Sequence, residues 1–159
     1  MNGSREALRA WLAMLKSSSA IKKSIDTTMR TQFQISISRF DVLSALDRGG
    51  PEGLRAGALS EMLMVTEGNT TQVTALLIRD GLVKRSNSRE DGRVAIFKLT
   101  KKGERLFARM AAKNKQLIDA TFVGLSKTEL QQFRKLLGKL NLPNGINKTK
   151  KPIPKKDAA

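Results

Sequence analysis

Apolar residues near the start of the chain recur every three or four positions. Between residues 5 and 31 they form one continuous stripe, which predicts a single long helix. The stripe consists of Leu8, Trp11, Leu15, Ile21, Ile25 and Met29. Because a helix gains most of its stability from packing one face, this long stripe requires another surface to cover it.

Three shorter helices are predicted next. The first is expected to begin after Ser38, a good N-cap residue, and to end at Gly49. A short helix follows, then a break at Met64–Val65. A further helix is capped by Thr66 and ends before Gly81, which suits a position with positive φ. Two helices joined by a short turn are typical of a helix-turn-helix.

Leu82-Val83-Lys84-Arg85 then starts a predicted strand, and the side chains up to Leu99 alternate between two faces as in a return strand. The hairpin tip is Ser86–Gly92, which contains the favoured turn pair Asp-Gly. Two more helices are expected, over about 101 to 123 and after the capping box Ser126–Glu129. The predicted fold is mainly α with a small two-stranded β-wing (α+β), a winged helix-turn-helix flanked by further helices.

The excess of basic residues indicates what kind of partner the protein binds. The chain has 30 Lys and Arg against 14 Asp and Glu, a formal net charge of +16. Such a surplus indicates a polyanion, either nucleic acid or an anionic membrane surface, although a basic surface can also serve solubility alone. The helix-turn-helix pattern favours double-stranded DNA over a membrane.

Several kinds of chemistry are excluded by composition. The 159 residues include no Cys and no His, which excludes disulfides, Cys/His zinc sites and a catalytic Cys or His. The sequence also has no Gly-rich phosphate loop. We therefore expect no enzyme, no catalytic residue, no cofactor and no metal site. Neither a membrane-spanning run nor a signal peptide is visible, so a cytoplasmic location is expected.

The helix ending before Gly81 has two different sides at 100° per residue. Val73 and Leu77 lie on the core side together with Thr70, and the opposite side is small, polar or cationic. Amides can bond adenine edges, hydroxyls can reach a base or a phosphate, and the helix N-terminus favours a phosphate. The candidate DNA-binding residues on this helix are Gly68, Asn69, Thr70, Thr71, Gln72 and Arg79. An ordinary amphipathic surface helix is the alternative.

The hairpin tip supplies the second candidate contact. Arg89 and Arg93 can reach phosphates or enter a narrow minor groove, where negative potential is strongest. Asp91 lies beside them and could fix the rotamer of an arginine by a charge-assisted hydrogen bond. Alternatively, Asp91 serves only the turn and Glu90 is only solvated.

These segments resemble the MarR family of winged helix-turn-helix regulators. The resemblance is clearest from Leu43 to Leu106, in LSEMLMVTEGNTTQVTALLIRDGLVKR and REDGRVAIFKLTKKGERL. An acid and an arginine two apart, Asp91 and Arg93, precede a strand that ends in the motif Leu-Thr-x-x-Gly (Leu99–Gly103). Including the long first helix and the last two helices, the resemblance covers about Arg5 to Leu142.

The resemblance implies a homodimer that binds a pseudo-palindromic operator. It also implies that Thr71 and Gln72 contact the major groove and that Arg93, supported by Asp91, contacts the minor groove. Many members have an arginine where Gln72 stands, so the base preference there is open. Residues 5–36 and 105–142 would form the dimerisation region and residues 37–104 the DNA-binding domain. Residues 143–159 would be a disordered basic tail.

A finer resemblance concerns the signal. The runs ISRFDVLSAL and MVTEGNTTQVTALLIRDGLV are more similar to members that control aromatic-acid catabolism, which implies a repressor released by an aromatic carboxylate or its CoA thioester. The candidate ligand-binding residues are Trp11, Arg30, Phe33, Arg39 and Phe40; for the apolar ones, core packing is the competing interpretation. A sequence-tolerant architectural DNA-binding protein without an effector is the alternative function.

Overall fold

A computed structural model describes residues 2–63 and 67–142 of the chain. Six helices and three strands lie in these residues. They are α1 (Asn2–Phe33), α2 (Ile37–Gly49), β1 (Leu54–Arg55), α3 (Ala56–Leu63), α4 (Glu67–Arg79), β2 (Val83–Asn87), β3 (Ala95–Leu99), α5 (Lys101–Thr121) and α6 (Lys127–Leu137). The expected break at 64–65, the Thr66 cap and the basic tail lie outside the described residues.

The described chain divides into two compact units, one ending at Thr121 and the other starting at Phe122. The first unit contains α1 to α5 and the sheet, and the second contains α6. In the second unit the predicted capping box is present, because the Ser126 hydroxyl accepts from the Glu129 N–H and the Glu129 side chain accepts from the Ser126 N–H. Hydrogen bonds from the Ser126 N–H and hydroxyl lower the pKa of Glu129 below its ordinary value.

The predicted fold class, mainly helical with a small antiparallel wing, is confirmed. The sheet has one strand more than expected, in the order β1-β3-β2. Leu54 of β1 pairs with Phe97 of β3, and on the other side Arg85 of β2 pairs with the same residue. A strand of two residues is too short to produce a visible alternation, so the sequence pattern could not reveal β1.

The start of α2 differs from the prediction. Its N-cap is Ser36, not Ser38, and the Ser36 hydroxyl accepts from the Arg39 N–H at 3.3 Å. Asp26 on α1 accepts from the Ile37 N–H at 2.8 Å, so a carboxylate lies at the positive end of α2. This bond, followed by the one from Arg30, lowers the pKa of Asp26.

The core of the first unit lies between α1, α2, α3, α4, α5 and the sheet. Its largest fully buried side chains are Met29, Leu43, Leu46, Leu59, Leu77, Met110, Val42, Val83 and Thr74. Phe40 of α2 stacks on Phe107 of α5, with ring centroids 5.8 Å apart. Burial of these residues fixes α4 and the wing to the rest of the unit.

The motif Leu-Thr-x-x-Gly closes the base of the wing. Thr100 donates its hydroxyl to the Gly81 carbonyl at 2.7 Å and its N–H to the Leu82 carbonyl at 3.0 Å. The start of α5 approaches the same carbonyl, because a Cβ on Gly103 would lie 2.0 Å from the Leu82 oxygen. Glycine is therefore required at position 103 by the close approach of α5 to the chain that leaves α4.

Candidate nucleic-acid interface

The two sides of α4 differ as its periodicity predicts. Thr74 and Leu77 are buried together with Thr70, and Val73 is half-buried beside them. The exposed residues on the opposite side are Gly68, Thr71, Gln72, Ala75 and Arg79, with Asn69 exposed at the flank. The outer side therefore presents small and hydrogen-bonding groups, which is the surface that close approach to base edges requires.

Thr70 does not belong to that outer surface. Its side chain is only 3% exposed and its hydroxyl accepts from the buried Ser60 hydroxyl of α3 at 3.0 Å. Thr74 donates to the Thr70 carbonyl at 2.8 Å, which continues this buried polar contact along α4. The Thr70 side chain therefore holds α4 against α3, and the place of Thr70 among the candidate DNA-binding residues stays a prediction.

The far end of α4 is held by ion pairs. The guanidinium of Arg39 on α2 contacts one oxygen of Asp80, and the Arg79 Nε donates to the other oxygen at 3.2 Å. These two arginines, Arg39 first, lower the pKa of Asp80 below its ordinary value. Arg39 therefore stabilises the fold through its ion pair with Asp80. Arg79 lies exposed at the end of the outer side of α4.

The wing loop is a small hydrogen-bonded structure. The Ser88 N–H donates to the Val94 carbonyl at 2.8 Å, and the Val94 N–H donates to the Asp91 carbonyl at 3.0 Å. Asp91 is therefore the first residue of a turn whose central residues are Gly92 and Arg93. Its side chain accepts from the Arg93 N–H at 3.0 Å.

Asp91 consequently positions the backbone of Arg93. The suggested bond from Asp91 to an arginine side chain is not what the structure shows, because the carboxylate accepts from the main chain of the turn. The side chains of Arg89 and Arg93 are exposed at the tip of the wing. Glu90 is a solvated acid, with a side chain that is 86% exposed, and its carboxylate lies 3.4 Å from the guanidinium of Arg55 on β1.

The five candidate ligand residues are not brought together within the chain. Trp11 and Phe33 both lie on α1, 22 positions apart, which separates them by roughly 33 Å at the rise of an α-helix. Phe40 is buried against Phe107, and Arg30 pairs with Asp26 at 2.7 Å. These residues therefore form no common pocket within a single chain, because the length of α1 separates them, and their role in ligand binding stays a prediction.

Phe33 makes a cation–π contact with an arginine. It is half-buried, and the guanidinium of Arg109 on α5 lies 5.6 Å from its ring centroid. One cleft, of about 420 Å³, is lined by Lys84, Lys98 and Lys101 among others. Residues 2–63 and 67–142 contain no helix long and apolar enough to cross a membrane and no cluster of three acidic, Cys or His residues that could hold a metal ion.

Comparison with known proteins identifies the winged region. The family model described as MarR family matches residues 33–94, which run from the end of α1 to the end of the wing loop. The winged region of this chain is therefore similar to the MarR family of winged-helix transcriptional regulators. MarR proteins bind operator DNA, typically as dimers, and they are regulators and not enzymes, as composition predicted.

Individual transcriptional regulators are also similar to this chain. The HTH-type transcriptional regulator YhbI of Bacillus subtilis is 27% identical over 143 residues, which cover 88% of this chain and 92% of the relative. The HTH-type transcriptional repressor IacR of Pseudomonas putida is 26% identical over 106 residues, 67% of this chain and 62% of the relative.

Solved MarR structures share the fold. A mutant of Escherichia coli MarR complexed with operator DNA gives a TM-score of 0.76 at 19% identity, covering 86% of this chain and 96% of that one. Sco3205 from Streptomyces coelicolor, in complex with DNA, gives 0.77 at 18% identity, with 84% of each chain covered.

Proposed function

We propose that the protein is a homodimeric, sequence-specific repressor that binds a pseudo-palindromic DNA operator and is released by a small aromatic acid or its CoA thioester. One observation carries the DNA-binding part. A single compact unit presents both the polar outer side of α4 and the exposed arginines of the wing. The similarity of residues 33–94 to the MarR family supports the same role.

Each of the two surfaces suits a different groove. Gly68 lets the start of α4 approach the major groove closely, where Thr71 and Gln72 can bond base edges. Arg93, held by its turn, and Arg89 suit the negative potential of a narrow minor groove. The formal net charge of +16 adds sequence-independent attraction to phosphates.

The dimer is supported by apolar surface that the described chain leaves uncovered. On the first half of α1, Leu8, Trp11, Leu12 and Leu15 are all exposed. In the second unit, Phe133 and Leu136 of α6 are also exposed. In a dimer in which a second copy covers these faces, the two α4 helices would lie about 34 Å apart, which is one turn of DNA.

The repressor role and the effector are the finer parts of the proposal. A relative that covers 67% of this chain is itself named a repressor. The Arg109 guanidinium lies over the Phe33 ring, so a carboxylate bonded to this cation would have an aromatic ring next to it. If the effector-bound and DNA-binding states differ 100-fold in DNA affinity, the coupling free energy is about 2.7 kcal/mol.

Selection of binding sites from a random duplex library tests the DNA-binding proposal. We expect an enriched pseudo-palindrome whose half-sites lie one helical turn apart. Gln72→Ala should change the base preferred at one position per half-site and leave the salt dependence of binding nearly unchanged, because it removes a base contact and no phosphate contact. A library without any enriched motif would support the sequence-tolerant architectural protein instead.

The effector is tested separately with thermal shift. Aromatic carboxylates and their CoA thioesters should raise the melting temperature if they bind the native protein. The same compounds should then lower its affinity for the selected duplex. Compounds that stabilise the protein without weakening DNA binding would contradict the repressor-release mechanism and leave the DNA-binding proposal standing.

A further inference from the structure

Asp80 lies between the two surfaces that the proposed function assigns to DNA. It follows Arg79, the last residue of α4, and precedes Gly81, whose φ of 71° turns the chain toward β2. Any change in the backbone at this point would change the angle between α4 and the wing. The contacts of Asp80 therefore bear directly on how the two surfaces are oriented to each other.

Three side chains from three helices hold this residue. Its two carboxylate oxygens contact Arg39 of α2 and Arg79 of α4, one oxygen each. Its carbonyl oxygen accepts from the Lys102 ammonium of α5 at 2.9 Å. Contacts from α2 and α5 therefore fix both the side chain and the main chain of Asp80.

Arg39 makes this contact difficult to exchange for water. Its side chain is only 15% exposed, and its Nε is buried without a hydrogen-bond partner in the described part of the chain. Asp80 is the carboxylate that compensates this largely buried guanidinium. Removal of that carboxylate would leave the Arg39 guanidinium desolvated and without a counter-charge. The surrounding backbone would then have to move so that the guanidinium reaches water or another partner.

We propose that Asp80 is a positioning residue for DNA recognition: by holding the end of α4 on Arg39, it fixes the angle between α4 and the wing. The effect on DNA recognition rests on the proposed function, because α4 and the wing can contact both grooves at once only at one such angle. It predicts that Asp80 determines discrimination between DNA sequences, although its own side chain contacts no base.

The first test needs no DNA. The chain has no native Cys, so Ala75→Cys on α4 and Arg89→Cys on the wing give two unique sites for spin labels. Labelled protein diluted with unlabelled protein isolates the distance within one chain. We expect a narrow distance distribution in the otherwise native protein and a broadened or shifted one after Asp80→Asn. An unchanged narrow distribution in Asp80→Asn would overturn the proposal.

The matched control is Glu104→Gln. Glu104 is an exposed carboxylate that pairs with Lys101 at 3.0 Å, near the same end of α5. This variant removes the same charge but leaves the Arg39–Asp80 contact in place, so its distance distribution should match that of the native protein. Asp80→Glu keeps the charge and should restore at least part of the narrow distribution. If Asp80→Asn does not fold, Asp80→Glu replaces it in the distance measurement.

The second test measures recognition. Asp80→Asn should bind the selected duplex at least tenfold more weakly and should bind a scrambled duplex as well as the native protein does, or slightly better, since one negative charge is lost. Glu104→Gln should keep the native ratio between the two duplexes. A native ratio in Asp80→Asn would overturn the positioning role. Failure of the native protein to prefer any duplex would instead overturn the proposed function, and the spin-label result would remain informative.

Discussion

The two halves of α1 have the same apolar periodicity and opposite environments. In the second half, Met29 is completely buried, and Ile25 and Phe33 pack against the core. In the first half, Trp11 is 50% exposed and Leu12 is similarly open. The periodicity predicts which face of a helix is apolar, but only the neighbouring chain decides whether that face is covered. We interpret the first half as surface for a second copy and the second half as core.

Met29→Ala should have the largest effect on this comparison. It removes a fully buried side chain between α1 and the rest of the first unit, so we expect the free energy of unfolding to fall by about 2–5 kcal/mol. Chemical denaturation at two protein concentrations is the measurement. The loss should be similar at both concentrations, and a loss below about 1 kcal/mol would contradict a closely packed second half.

Gly103→Ala should be the next most damaging change, at the other side of the packed region. The new methyl would lie 2.0 Å from the Leu82 carbonyl oxygen, so α5 must shift, at a cost of about 1–3 kcal/mol or more. Gly124→Ala is the control, because a Cβ there meets nothing within 4 Å. Equal melting temperatures for the two variants would show that α5 does not approach Leu82 this closely.

Leu12→Glu examines the exposed half of α1. A charge on an apolar face that a second copy covers must be desolvated, so the dimer dissociation constant should rise at least tenfold. Sedimentation over a range of concentrations measures it. The helical circular dichroism of the variant should stay close to native, because Leu12 is exposed in the single chain. An unchanged dissociation constant would place the dimer interface elsewhere.

Acid should produce the smallest effect, through Asp26 in the packed half. Because the Ile37 N–H and Arg30 lower its pKa in the folded state, Asp26 contributes stability that is complete above its unfolded pKa, near 3.8. That contribution is lost as the pH falls through the lower folded value. Asp26→Asn should therefore flatten the acid side of the stability curve, measured by denaturation between about pH 5 and about pH 2. A parallel curve for the variant would contradict the Asp26 contact with α2.

The sequence predicted those parts of the fold that depend on neighbours along the chain. The sides of α4, the capping box at Ser126 and the glycine at 81 all follow from spacing and local backbone preference. It did not predict β1, which exists only because Leu54 pairs with Phe97, far away in sequence. It also predicted Ser38 as the N-cap of α2, whereas that helix begins at Ile37, has Ser36 as its cap and bonds Asp26 of α1 through its first N–H.

The candidate site shows the same division. The outward side of α4 was visible in its periodicity, whereas the inward hydroxyl of Thr70 finds its partner on α3. Asp91 was recognised as a support for Arg93, but only the turn geometry shows that it supports the backbone. The positioning role proposed for Asp80 has no signal along the chain, because its partners Arg39 and Lys102 come from helices distant in sequence.

The central claim is that the wing and α4 read one duplex together, and an anisotropy titration of Arg93→Ala tests it most directly. With a duplex chosen by selection, we expect Arg93→Ala to lose about 1–3 kcal/mol of binding free energy. Lys115→Ala, which removes an exposed cation paired with Asp119 on α5, should bind nearly as the native protein does. Equal affinities of Arg93→Ala and the native protein would contradict the account.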